Sequence, residues 1–192
     1  MATDFGKEAE KLGAKMLSTE FTTTTSSEFS SVATAIKTKQ PDFVLYGGMD
    51  AQAGPLAKEL RKQGVNAQFM GSDGIKSEEM LKMIGPIDGV YASTAGATTD
   101  KMPGYSEFAT RYQTAYNQPI ATFAPYSYDA THVIIAAMDQ AKSADPAKYA
   151  PLIRKTQMQG ITGAIAFDEK GDLKDSAQTV YIAKGDKWEV AM

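Results

Sequence analysis

Apolar and polar residues between Asp42 and Ile75 alternate in the pattern of a strand, a helix and a second strand. The apolar run from Phe43 to Tyr46 ends at a glycine pair, as a buried parallel strand does at a tight turn. A helical period follows from Asp50 to the break at Gly64, and its apolar positions share one face. These positions are Ala53, Leu56, Ala57 and Leu60. Ala67 to Gly71 predicts the second strand, so we expect both strands to end at the same edge of one sheet.

The same alternation of short strand and amphipathic helix extends over residues 4 to 93. The further predicted elements are a helix over 4 to 15, a strand over Met16 to Phe21, a helix ending near Lys39, a helix over 76 to 84 and a strand over 89 to 93. Thr25 and Glu28 have the spacing of a capping box for the helix that ends near Lys39. This alternation predicts an α/β fold with a doubly wound, Rossmann-like parallel sheet.

The pattern changes after residue 95, where a loop rich in small and turn-forming residues begins. Two helices are predicted over 104 to 117 and 125 to 141 with no strand between them, and a third runs from Pro146 to about Lys155. The helix over 125 to 141 is apolar on much of its surface. We therefore expect it to be covered on more than one side.

The end of the chain returns to strand patterns, over 164 to 168 and 179 to 183, with turn residues after each. We interpret it as a small β tail. The predicted domains are an α/β unit over 1–95, a helical segment over 96–163 and this tail over 164–192.

Composition narrows the function classes. The 192 residues carry a net charge of −3 with basic residues spread among acidic ones, which argues against a nucleic-acid or anionic-membrane partner. The sequence has no cysteine and one histidine, His132, without a serine motif or metal-ligand spacing beside it. Asp168, Asp172 and Asp175 fail the EF-hand spacing and indicate a hairpin turn. We therefore expect no catalysis, no metal and no cofactor.

Two features at the shared strand edge could bind charged groups of a ligand. The loop from Gly47 to Asp50 offers backbone N–H groups at a helix start, which suit a carboxylate. Asp73 follows the second strand, where a carboxylate suits an ammonium group. Together the two features fit a zwitterion. The alternative is that Asp50 is only an N-cap and that Asp73 caps the helix over 76 to 84.

Five blocks of sequence resemble the branched-chain amino-acid (Leu/Ile/Val) binding proteins of ABC importers, the type I periplasmic binding family. They are YGGMDAQAGPLAKELRKQG, FMGSDG, GVYAS, FAPYSYDATHVIIAAM and GITGAIAFDEKGDLKD, and they occur in the family's order. The resemblance implies two α/β lobes that close on a ligand in the cleft between them. It covers the C-terminal part of such a protein, without its first lobe. We therefore expect weak or no ligand binding by this chain alone.

The resemblance also implies a set of ligand-contacting residues. They are Asp73, Met49, Asp50, Ala51, Phe123 and Tyr126. Asp73 matches the family's acidic residue that pairs with the ligand's ammonium, and Met49 matches a position in the pocket wall. Phe123 matches an apolar contact to the ligand side chain, with Tyr126 nearby. Ordinary core packing is the alternative for Phe123 and Tyr126.

The implied function is capture of a branched-chain or other small amino acid in the periplasm and its delivery to an ABC transporter permease. One alternative is a ligand-sensing regulatory domain of the same fold. Another is a truncated chain that mainly forms a swapped homodimer through the apolar helix over 125 to 141, without binding a ligand.

Overall fold

The computed structural model describes residues 2–191. The helices are α1 (Ala2–Lys11), α2 (Ser30–Lys39), α3 (Asp50–Lys62), α4 (Glu78–Ile84), α5 (Tyr105–Tyr116), α6 (Ala124–Ala141) and α7 (Pro146–Ile153). The strands are β1 (Phe43–Tyr46), β2 (Gln68–Gly71), β3 (Val90–Ala95), β4 (Gln157–Gln159), β5 (Ala164–Ala166), β6 (Gln178–Lys184) and β7 (Lys187–Val190). The chain divides into two compact units. The first runs to Thr94 and resumes at Thr179, and the second is Ala95–Gln178.

The first unit is built on a five-stranded sheet with the order β1-β2-β3-β6-β7. Strands β1, β2 and β3 are parallel, and β6 and β7 form an antiparallel hairpin at one edge. Tyr46 pairs with Gly71, and Gly71 pairs with Ala92, so β1 and β2 end together while β3 continues to Ala95. The mostly parallel sheet confirms the predicted α/β class and the predicted common edge.

Apolar faces of the helices and strands form the core of the first unit. Its largest fully buried side chains are Phe69, Leu60, Ile75, Met80, Ile84 and Val90. They come from α3, α4, β2, β3 and the turn after β2, as the helical and strand periods require. Trp188 of β7 packs against this core and donates its indole N–H to the Ser77 carbonyl at 2.9 Å. This contact joins the end of the chain to the start of α4.

The second unit contains α5, α6, α7 and the short antiparallel hairpin of β4 and β5. The observed α5 and α6 agree with the predicted helices to within one residue at each end, and no strand separates them. Val133 and Ala137 of α6 are buried, but Ile134 and Ile135 are 38% and 46% exposed. The prediction that this helix is covered on more than one side was therefore wrong for these two residues.

Two local predictions in the first unit were wrong. Met16 to Phe21 forms no strand, because nothing among the described residues pairs with its backbone. The capping box of Thr25 and Glu28 is also not formed. Helix α2 begins at Ser30 after an N-cap, Phe29, that has no side-chain hydrogen bond, and the Thr25 hydroxyl instead contacts the Thr23 hydroxyl at 3.1 Å. The helix therefore starts too far along the chain for Thr25 to reach it.

Candidate ligand-binding site

The carboxyl ends of β1 and β2 bring two loops into contact in the first unit. Gly74, in the turn after β2, lies so close to the loop after β1 that an added Cβ would be 2.8 Å from the Met49 Sδ. The same Cβ would be 3.0 Å from the Gly48 carbonyl oxygen. The turn can approach this closely because Gly74 has no side chain. The loop of Met49 and the turn that begins at Asp73 are therefore in close contact.

Asp50 ties the starts of α3 and α4 together. One of its carboxylate oxygens accepts the Ala51 N–H at 2.8 Å, and the other accepts the Ser77 hydroxyl at 2.5 Å. Ser77 is the N-cap of α4, since its hydroxyl oxygen accepts the Met80 N–H at 2.9 Å. The Asp50 carboxylate is thus engaged within the protein, by the first turn of α3 and by the N-cap of α4.

Asp73 is different, because its carboxylate is exposed and no described residue forms a hydrogen bond or ion pair with it. It opens a single 3₁₀ turn, Asp73–Ile75, and its backbone carbonyl accepts the Lys76 N–H at 3.1 Å. The alternative prediction that Asp73 caps the following helix was wrong, since Ser77 holds that position. The pattern Ser-Glu-Glu at residues 77 to 79 is a recognisable N-cap signal that could have identified Ser77 from the sequence.

Lys76 is the nearest cation to Asp73 along this turn, but it does not pair with it. Its ammonium lies over the Tyr181 ring at 4.3 Å from the ring centroid, and burial lowers the Lys76 pKa. The Lys76–Tyr181 contact had no signal in the sequence, because β6 is more than 100 residues away along the chain. The Asp73 carboxylate therefore keeps its charge available for an external cation.

The other predicted contacts lie in the second unit. Phe123, the N-cap of α6, has a side chain that is 50% exposed. Tyr126 is half-buried and donates its hydroxyl to the Ala95 carbonyl at 3.0 Å. Tyr126 thus fixes the loop at Ala95, and Phe123 presents an open apolar ring. Ala51, in the first unit, is exposed on the first turn of α3.

The remaining candidates have structural roles. His132 packs on Tyr128 one turn away on α6, with ring centroids 4.5 Å apart. Asp168 accepts the N–H groups of Lys170, Gly171 and Asp172, each within 2.9 Å, so it organises a turn. Among residues 2–191, no cluster of three or more His, Asp or Glu side chains could hold a metal ion. Within the same range, no helix is both long and apolar enough to cross a membrane.

A cavity of about 400 Å³ lies at the other end of β2, lined by Arg61, Asn66, Gln68, Pro86, Ile87, Asp88 and Gly89. The Arg61 guanidinium donates to the carbonyl oxygens of Val65 and Asp88, at 2.6 and 3.0 Å. Burial lowers the Arg61 pKa. The cavity opens at the amino end of β2, opposite the Asp73 edge. Its arginine is already hydrogen-bonded to backbone carbonyl groups.

Comparison with known proteins gives a consistent family relationship. The family described as periplasmic binding protein matches residues 1–187. An amino acid binding protein of Pseudomonas aeruginosa is 32% identical over 174 residues, which cover 89% of this chain and 46% of that protein. A leucine-, isoleucine-, valine-, threonine-, and alanine-binding protein of the same organism is 28% identical, over 94% of this chain and 48% of its own length. The chain spans about half the length of the curated relatives it matches.

Solved structures agree with this relationship at the level of the fold. A leucine binding protein from Thermotoga maritima superposes with a TM-score of 0.88 at 24% identity, over 100% of this chain and 55% of that chain. A branched-chain amino acid transporter substrate binding protein from Streptococcus pneumoniae, solved in complex with isoleucine, gives a TM-score of 0.69 at 23% identity. That match covers 88% of this chain and 50% of the other. The likeness therefore extends along nearly the whole of this chain.

Proposed function

The chain belongs to the periplasmic binding protein family, and on that premise we propose that it is part of a solute-binding protein for a small amino acid. The proposed ligand is a branched-chain or other small amino acid. The proposed location of the protein is the periplasm, and its proposed partner is the permease of an ABC importer. The P. aeruginosa relatives support this proposal, since both are described as amino acid binding proteins.

The observation that carries the proposal is the exposed Asp73 carboxylate at the carboxyl edge of the parallel sheet. It has no charge partner among the described residues, and the exposed Met49 side chain lies against the neighbouring residue, Gly74. A carboxylate near an apolar side chain suits the α-ammonium group and the side chain of an aliphatic amino acid. We propose Asp73 as the ammonium ligand and Met49 as part of the apolar wall.

We propose that Asp50 and Ala51 lie at the rim of this site. Asp50 acts through its bonds to Ser77 and Ala51, which hold the loop of Met49 in place. For Phe123 and Tyr126, which belong to the second unit, a ligand contact stays a prediction of the family resemblance, and Phe123 presents an exposed ring. The proposed role is binding without catalysis, because no residue of this group is arranged as a nucleophile with a base.

Amide chemical shifts provide the test, since they detect binding in the millimolar range. Leucine should shift the amide signals of Met49, Ala51 and Gly74. 3-Methylbutylamine, which keeps the ammonium, should shift the same signals, and 4-methylpentanoate, which lacks it, should not. Asp73→Asn should weaken leucine binding about two- to fivefold, as expected for an exposed ion pair worth up to about 1 kcal/mol.

Asp186→Asn is the matched control, because Asp186 is an exposed aspartate in the turn between β6 and β7 of the same unit. It should bind leucine as the unmodified chain does. If Asp73→Asn left the leucine shifts unchanged, or if leucine shifted only signals away from Met49 and Gly74, Asp73 would not be the ammonium ligand.

A further inference from the structure

The turn that begins at Asp73 also places a lysine next to it in the chain. Asp73–Ile75 form a single 3₁₀ turn, and the Lys76 N–H donates to the Asp73 carbonyl at 3.1 Å. Residues three apart in a 3₁₀ turn lie on the same side of it, so the Lys76 side chain starts beside the Asp73 carboxylate. An ion pair between the two would neutralise the carboxylate that we assign to the ammonium of a ligand.

The Lys76 ammonium lies over an aromatic ring instead. It is 4.3 Å from the centroid of the Tyr181 ring, and both side chains are half-buried. A cation on a partly desolvated aromatic face is held more strongly than an exposed ion pair would hold it. The Tyr181 ring therefore competes successfully with the exposed Asp73 carboxylate for this ammonium.

The hairpin of β6 and β7 fixes the position of that ring. In the register of the hairpin, Tyr181 and Trp188 are diagonal neighbours on one face. Trp188 donates its indole N–H to the Ser77 carbonyl at 2.9 Å. The two aromatic side chains of one hairpin face thus contact two adjacent residues, Lys76 and Ser77, directly after the Asp73 turn. This double contact keeps the Tyr181 ring against the lysine side chain.

We propose that Tyr181 is a positioning residue for ligand binding, because its ring holds the Lys76 ammonium away from the Asp73 carboxylate. The carboxylate then keeps its charge for the ammonium of a ligand. When the ring is removed, the Lys76 ammonium moves to Asp73 and competes with the ligand. The effect on ligand affinity rests on the proposed function of Asp73, whereas the position of Lys76 rests on the contact geometry alone.

Carbodiimide cross-linking tests the position of Lys76 without a ligand. The reagent joins a carboxylate and an amine that are in contact as an amide, with loss of one water, and tandem mass spectrometry locates the bond. Tyr181→Leu should give an amide between Asp73 and Lys76 at several times the yield of the unmodified chain. Tyr181→Phe keeps the ring under the ammonium and should give as little of this amide as the unmodified chain.

Lys82 provides the internal standard for the reaction. Its ammonium is 3.9 Å from the Glu78 carboxylate and 3.6 Å from the Glu79 carboxylate, and all three side chains are exposed on α4. The Lys82 amides should form equally in all three chains. An amide within the Asp73 turn of the unmodified chain, at the yield of the Lys82 amides, would overturn the proposal without any variant. Equal yields of that amide in the unmodified chain and in Tyr181→Leu would overturn it as well.

Leucine titration, followed by the amide shifts of Met49 and Gly74, tests the effect on the ligand. Tyr181→Leu should weaken leucine binding about two- to fivefold, as expected when an exposed ion pair competes for the carboxylate. Adding Lys76→Met removes the competing ammonium and should restore the affinity, which a general loss of folding would not do. A double variant as weak as Tyr181→Leu would overturn the proposal. If leucine shifts these amides in no chain, the proposed function of Asp73 fails, and the cross-linking yields still decide where Lys76 lies.

Discussion

The buried Asp129 carboxylate connects α6 to the loop after β4 in the second unit. We expect its removal to lower the free energy of unfolding. Its side chain, on α6, is only 4% exposed. Its two oxygens accept the Ile161 N–H at 3.0 Å, the Thr162 N–H at 2.9 Å and the Thr162 hydroxyl at 2.6 Å. Gly160 leaves room for this contact, since an added Cβ there would overlap the carboxylate. The loop after β4 is therefore held to α6 by one side chain.

Asp129→Asn keeps the shape of the side chain but replaces one acceptor oxygen by a donor. The Thr162 N–H then faces an N–H₂ group, and the bond to Ile161 loses its charge. A buried donor left without a partner costs about 1–3 kcal/mol, and a hydrogen bond to a charged group contributes about 1.5–3 kcal/mol. We expect the free energy of unfolding to fall by about 3 kcal/mol. With a typical urea dependence, the unfolding midpoint should drop by about 1–2 M.

Urea unfolding followed by circular dichroism measures this loss, and amide hydrogen exchange locates it. The amides of Ile161 and Thr162 should exchange faster in Asp129→Asn. Asp139→Asn, an exposed aspartate on the same helix, is the matched control and should change the midpoint little. Equal midpoints for the two variants, or unchanged exchange at Ile161 and Thr162, would refute the assigned role of Asp129.

Two further predictions concern the first unit. Gly74→Ala should lower the free energy of unfolding by about 1–3 kcal/mol through overpacking, and Met49→Ala should relieve part of that loss. Purely additive urea-unfolding energies for the two changes would contradict the close approach. Burial lowers the Lys76 pKa from 10.5, so the unfolded chain holds more protons than the folded one just below pH 10.5. The stability difference between the unmodified chain and Lys76→Met should therefore shift in favour of the unmodified chain as pH rises from 8 to 10.5. A difference that stays constant in urea titrations over this range would exclude the effect.

The sequence pattern was sufficient to predict elements whose structure depends mainly on their own residues. The helical period of α3 and the apolar run of β1 require burial on a sheet, so their type and the shared strand edge follow from local residues. The same is true of α5 and α6. Pairing is different, because a strand needs a partner as well as a pattern. Met16 to Phe21 has the pattern and lacks the partner within the described chain.

The candidate site likewise has one part that the sequence predicts, the positions of its residues, and one part that it does not, their hydrogen-bond partners. The sequence determined that Met49, Asp50 and Asp73 stand at one edge of the sheet, because parallel strands must end there. Only the tertiary structure decided that Asp50 is engaged by Ser77 while Asp73 remains exposed. The availability of a carboxylate depends on which distant donors reach it. Those donors are set by the packing of α3 against α4, which no local pattern encodes.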